Sequence, residues 1–311
     1  MENTHRQNND ELEDILREFS EPAPEADSAP EKKAPPPPKK KGKAGQKALF
    51  YGLLSIFAAI FLFSVVYLSH HLILQYRDED SYDELGDIVA SIQSNPTEAP
   101  TADDPSAPTI PTPEGPTEPV ILPEYQPIYE RNSDLVGWIK LEGTHINYPV
   151  MQTPDSPDYY LNRNFDKQTS KAGAIYVREA CDVFKPSDNV VIYGHYISSG
   201  QQMFTHLHKY TKKSFWQANQ YITFDTLYEH HTYQVFAVFK TSADPGRGYP
   251  YHRFNDALDK EDFDKFIADV KGLSFYNTGI TPQYGDKLIT LSTCEYTLTN
   301  GRLVVVAVQV S

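Results

Sequence analysis

The chain has 311 residues, 40% of them hydrophobic, with 42 acidic against 28 basic side chains and a net charge of −14. That length fits one ordinary domain plus accessory segments, and an acidic chain without a basic face argues against nucleic acid as a partner. Two cysteines permit at most one bridge, which excludes a disulfide-stapled scaffold.

Residues 1–47 begin with acids and continue as Ala, Pro and Lys, with prolines at 35–38. This composition cannot fill a core, and the segment reads as a disordered cytoplasmic tail. Within it Leu12, Ile15, Leu16 and Phe19 share helical spacing and offer a face for a cytoplasmic partner, although chance patterning gives the same picture.

Residues 48–69 open with an uncharged apolar run, 48–68, carrying Tyr51 and Tyr67 near its ends. At about 1.5 Å per residue the run spans the roughly 30 Å of a bilayer core. Lys39, Lys40, Lys41, Lys43 and Lys47 precede it, and acids follow Arg77. The positive-inside rule then puts the N-terminus in the cytoplasm and the remainder outside. A cleaved signal peptide is the rival, but the apolar core is too long and no small-residue cleavage site follows directly. The reading is a single-pass signal anchor in the plasma membrane.

Residues 70–123 read as a polar helix over about 75–93, followed by a stalk rich in Pro, Thr and acids. From Glu124 the texture changes. Aromatic and β-branched residues rise, and eight candidate strands follow at 137–141, 145–148, 174–177, 189–193, 221–224, 233–240, 287–293 and 303–310. Many short strands at this spacing predict a mainly β domain over 124–311, a barrel or a sandwich. Two helices are expected. One surrounds 202–210. The other covers 260–271, with Asp259 as N-cap and Phe263, Phe266, Ile267 and Val270 as one apolar stripe.

Chemistry concentrates at strand ends. Cys294 closes Thr290-Leu291-Ser292-Thr293-Cys294, and Arg302 heads the apolar run that follows. A thiol beside a guanidinium suits acyl transfer, pairing a nucleophile with a donor for a developing oxyanion. An ordinary thiol, with pKa of about 8.5, needs a base or an ion-pair partner at neutral pH. His195, ending the apolar strand Asn189-Val190-Val191-Ile192-Tyr193 after Gly194, is the best placed of ten histidines. Read singly, each residue has a plainer role: a buried thiol, a capping imidazole, a solvated guanidinium. Cys181 is expected to be a structural or loop thiol. His206 and His208 point apart on a helix, and His230 and His231 lack a carboxylate set, so neither a metal nor another cofactor is expected.

Tyr193-Gly194-His195, Thr290-Leu291-Ser292-Thr293-Cys294 and Arg302 resemble, in order, the three signature blocks of the sortases, cysteine transpeptidases of Gram-positive cell surfaces. Asp134-Leu135-Val136-Gly137-Trp138-Ile139, Tyr148-Pro149-Val150, Tyr159-Tyr160-Leu161 and Gly173-Ala174-Ile175-Tyr176 resemble the N-terminal half of class B members. The long segment between Lys240 and Lys287, carrying the second helix, matches the insertion that marks that class. The resemblance implies a closed barrel of about eight strands with a few peripheral helices, one of them in the segment before the Cys-bearing strand. It implies Cys294 as nucleophile, His195 as acid and base, and Arg302 with the Glu295 backbone N–H around the oxyanion. Ser292, Thr293, Glu295, Tyr160 and Asn162 are then candidate substrate-binding residues.

The implied substrates are secreted proteins bearing a C-terminal sorting motif, cleaved at Thr. The implied acceptor is an amine, either of a peptidoglycan cross-bridge or of a pilin lysine. Two other classes stand beside this: a membrane-anchored cysteine hydrolase, and a non-catalytic adhesin on a stalk. An L,D-transpeptidase is disfavoured, since its usual Ser-His-Gly-Cys block is absent.

Overall fold

The computed structural model describes residues 43–94, 119–198 and 200–311; the expectations for the tail before 43 and for most of the stalk lie outside these residues. By contacts the chain divides into Met1–Leu62 and Phe63–Ser311. In the first unit the described residues belong to helix α1 (Lys43–Ser94). That helix contains one stretch, Lys47–Ser69, long and apolar enough to cross a membrane.

In the second unit, the helix expected over about 75–93 is present as the end of α1. It is not only a polar spacer. Asp78, Tyr82, Leu85 and Val89 recur at helical spacing and are buried, and the last three join the core of the barrel. The Tyr82 hydroxyl donates to the Gly173 carbonyl (3.0 Å) and accepts from the Phe165 N–H (3.2 Å). Asn164 donates to Asp78 at 2.8 Å.

Helix α2 (Gln126–Arg131) leads into eight strands: β1 (Leu135–Lys140), β2 (Asn147–Met151), β3 (Ile175–Val177), β4 (Asn189–Tyr193), β5 (Tyr221–Thr226), β6 (Thr232–Ser242), β7 (Leu288–Glu295) and β8 (Gly301–Gln309). Each overlaps one of the expected strands, with ends displaced by up to three residues. They close in the order β1-β2-β3-β4-β7-β8-β6-β5, leaving no free sheet edge. Two neighbouring pairs are parallel, β2 with β3 and β4 with β7. Parallel neighbours need crossover connections, and the one from β4 to β7 carries β5, β6 and α4 (Lys260–Leu273).

Helix α4 forms as its sequence dictates. Asp259 caps it by accepting the Asp262 N–H, and Phe263, Phe266, Ile267 and Val270 are buried. Leu303 to Ala307 of β8 are all fully buried, the continuous apolar run of a strand covered on both faces. The helix expected over 202–210 is instead a 3-10 segment, Phe204–Thr211. It lacks a side-chain N-cap, and Met203 before it takes a left-handed φ of 51°. Burial of Phe204, His206, Leu207 and Tyr210 holds it. A short helix α3 (Lys213–Ala218) follows it.

Candidate active site

Strand direction decides where the reactive groups meet. Strands β4 and β7 run parallel, so their C-terminal ends reach one rim of the barrel, and antiparallel β8 begins at that rim. The end of β4 presents His195, the end of β7 presents Cys294, and the start of β8 presents Arg302. Cys294 and Arg302 are direct cross-strand partners, which puts both side chains on one face of the sheet. All three line a cleft of about 390 Å³ with Leu161, Tyr193, Gly194, Tyr251, His252, Ser292 and Thr293 among its walls.

Gly194 has no room for a side chain: a Cβ there would lie 2.5 Å from Ile175 and 2.7 Å from Phe204. This close approach lets the chain leave β4 tightly and turn His195 into the cleft. The His195 Nε2 lies 2.7 Å from the Leu161 carbonyl oxygen. A carbonyl only accepts, so Nε2 carries the proton and Nδ1 is left to take or give one. Gly173, at φ 62°, packs against the imidazole edge, and a Cβ there would also lie 2.6 Å from the Leu161 carbonyl.

One nitrogen of Arg302, Nη1, donates to the Asn300 and Gly301 carbonyls and to Asn300 Oδ1. Among the described residues no carboxylate forms an ion pair with this guanidinium, although Asp158 and Glu179 line the same cleft. Ser292 is buried and shares a 2.6 Å hydrogen bond with the Tyr251 hydroxyl. Burial pushes the Tyr251 hydroxyl pKa up, although the Ser292 bond and Arg302 oppose the shift. His252 is pushed down by burial and by the positive charges of Arg178, Arg253 and Arg302.

The five expected substrate-binding residues divide. Ser292 and Thr293 line the cleft, whereas Glu295, Tyr160 and Asn162 do not. Tyr160 is fully buried, its hydroxyl donating to Asp134 (2.7 Å) and accepting from Asn132 (2.8 Å). Asn162 is exposed at the end of the 3-10 segment Tyr159–Asn162, and its neighbour Leu161 reaches the site. Sequence reading missed Leu161, Tyr251 and His252. Leu161 acts through a backbone carbonyl, which no side-chain pattern announces.

Glu295 has structural work. Its buried carboxylate accepts from Lys240 (2.7 Å), from the Thr297 N–H and hydroxyl, and from the Leu298 N–H. Burial alone would raise its pKa, but these hydrogen bonds outweigh it and hold the group at about 2. Folding is therefore stabilised while the group is ionised, and that contribution fades as pH falls from about 4.5 to 2. Glu295→Gln is expected to cost about 3 kcal/mol at neutral pH. Denaturant titrations should show the gap between variant and parent closing toward pH 2. A gap independent of pH would mean that the carboxylate is not what holds this turn.

Cys181 is buried and unbridged, with its sulfur near the Asn189 carbonyl and the Val191 N–H. Burial pushes its pKa up to about 11, which keeps it a thiol at neutral pH.

A closed mixed barrel whose rim gathers a thiol, an imidazole and a guanidinium defines a class, the cysteine acyl-transfer enzymes. Comparison with known proteins narrows that class. The sortase domain model matches residues 139–310. Sortase B of Staphylococcus aureus is 34% identical over 189 residues, covering 60% of this chain and 75% of the relative. A solved S. aureus sortase B–substrate complex superposes with a TM-score of 0.64 at 28% identity, covering 77% of this chain and 99% of the other. A sortase B complexed with triglycine superposes with a TM-score of 0.63 at 27% identity, covering 76% and 99%. The chain belongs to the sortase family, and within it to class B, and is a cysteine transpeptidase.

Proposed function

We propose that this protein, held in the membrane by Lys47–Ser69 with its N-terminus cytoplasmic, joins secreted proteins to peptidoglycan through a Cys294 thioester. The observation that carries the reading is the convergence of His195, Cys294 and Arg302 in one cleft from three adjacent strands. The Cys294 thiol passes its proton to His195 Nδ1 as its sulfur attacks the Thr carbonyl of a C-terminal sorting motif. As the C–N bond breaks, His195 gives its proton to the leaving amine. An incoming amine then attacks the thioester, His195 takes its proton, and the sulfur leaves. Arg302 stabilises the oxyanion in both halves.

The wall amine is favoured as acceptor by the likeness to a sortase B complexed with triglycine, since a glycine amine is what that ligand offers. Incubating the extracellular part with sorting-motif peptides and amine acceptors, with products read by mass spectrometry, tests the proposal. A thioester on the Cys294 peptide and an amide product with oligoglycine are expected. Transfer to a lysine side chain alone would make it a pilus-assembling enzyme, and cleavage without transfer a hydrolase.

Thr293 offers a sharper test of the cleft. Its Oγ1 is the one buried side-chain nitrogen or oxygen without a hydrogen-bond partner among the described residues. A buried orphan hydroxyl costs about 1–3 kcal/mol unless a ligand satisfies it. Thr293→Val keeps the shape and removes the orphan. It is expected to stabilise the fold by about 1 kcal/mol while lowering turnover. Unchanged kcat/KM in the stabilised variant would release Thr293 from substrate binding.

A further inference from the structure

The ladder between β4 and β7 runs out just where the nucleophile sits. Its register ends at Tyr193 with Ser292, and the last backbone bond across it runs from the Gly194 N–H to the Ser292 carbonyl, 3.1 Å. In a parallel ladder alternate residues of one strand bond the same neighbour. After Ser292 the next residue of β7 facing β4 is Cys294. By then the chain has turned away: the His195 carbonyl accepts from Phe204, and Tyr196 bridges to Met203. The carbonyl of Cys294 is left without its backbone donor.

A side chain fills that vacant rung. His208, from the 3-10 segment Phe204–Thr211, brings its Nε2 to 2.9 Å from the Cys294 carbonyl oxygen. The acceptor fixes Nε2 as the protonated nitrogen. The same imidazole lies against the Tyr196 ring, with centroids 4.4 Å apart, and Tyr196 directly follows His195. Tyr196 also meets Tyr296, two residues after the nucleophile, at 5.6 Å. One half-buried ring thus touches both strand ends that deliver the acid–base and the thiol.

We infer that His208 is a positioning residue for the reaction: its hydrogen bond to the Cys294 carbonyl and its contact with Tyr196 fix the thiol against His195. The inference rests on the roles proposed above for Cys294 and His195. Neither a metal role nor a role as second base is involved, because the nitrogen that reaches the site is committed to a backbone carbonyl. The reason for a histidine here is reach and shape. The ring is long enough to bond the rung from outside the sheet while its edge packs at a tilt of 46° against Tyr196.

The test compares His208→Leu with His208→Gln, whose amide can still donate to the carbonyl, in the full chain. Small displacements of reacting groups cost up to about 100-fold in rate. His208→Leu is expected to lower kcat by about tenfold or more with KM within about twofold. His208→Gln should recover most of the loss. Alkylation of Cys294 by iodoacetamide at neutral pH, which needs no substrate, should slow in parallel in the Leu variant. Tyr196→Leu, which leaves the hydrogen bond in place, should give a smaller loss of the same kind and keeps the inference testable if His208→Leu does not fold. Unchanged kcat and alkylation in folded His208→Leu would overturn the inference, as would equal losses in the Leu and Gln variants. Failure of the transpeptidase reading looks different: turnover that survives Cys294→Ala.

Discussion

Cys294→Ala is expected to abolish thioester formation and to lower transpeptidation by about 10⁴-fold or more, as removal of a nucleophile does in other covalent enzymes. Arg302→Ala should lower turnover by about 10²–10³-fold, the usual cost of losing an oxyanion donor. Both residues sit half-buried on the barrel rim, so their truncation should leave the fold unchanged. Arg302 is the more informative of the two. Its Nη1 is already tied to the turn before β8, so the rest of the fork is held in place before substrate arrives. A lysine could carry the charge there but not the fork, so Arg302→Lys should recover only part of the loss. The assay is single-turnover acylation followed by mass spectrometry, with thermal midpoints as a control. Turnover surviving in Cys294→Ala would point to another nucleophile. Cys181 is the other thiol, and its burial and raised pKa make Cys181→Ala close to silent in activity.

The second large effect is on stability. A chain beginning at Pro119 lacks the end of α1 and so uncovers the barrel surface that Tyr82, Leu85 and Val89 bury. Full burial of one such side chain is worth about 1.5–3 kcal/mol, so the loss should reach about 5 kcal/mol. In a domain of this size that corresponds to about 10–20 °C in Tm. Activity should fall as well, because Tyr82 holds the Gly173 carbonyl and Gly173 backs the His195 ring. Thermal melts of chains beginning at Asp78 and at Pro119 make the comparison. Equal midpoints would show that the helix is only a spacer.

The strands are legible because runs such as 189–193 and 303–310 are β-branched and bounded by turn residues, which local pattern captures. Helix α4 is legible down to its cap, since Asp259 and the apolar stripe are local signals. The docking of α1 is not. Tyr82, Leu85 and Val89 are three apolar positions among acids, and nothing local says that a barrel waits to cover them. The 3-10 segment at Phe204–Thr211 reads as an α-helix in sequence because its burial pattern nearly fits a helical period; the missing cap is the signal against it.

The site divides the same way. His195, Cys294 and Arg302 can be picked out because strand ends and residue types announce them, and the cleft gathers all three. Tyr160 and Glu295 sit beside the motifs in sequence but face other partners. Asp134 and Lys240, which claim them, come from distant segments. Proximity along the chain does not tell which face a side chain takes.

The pairing of β4 with β7 joins residues 99 positions apart in sequence at every rung. Loop closure over such a distance is slow relative to local hairpins. His195 and Cys294 therefore come together only when β4 pairs with β7, after the whole crossover with β5, β6 and α4 has been accommodated. The cleft that gathers His195, Cys294 and Arg302 is thus a product of the closed ring, and no segment of the chain holds it alone.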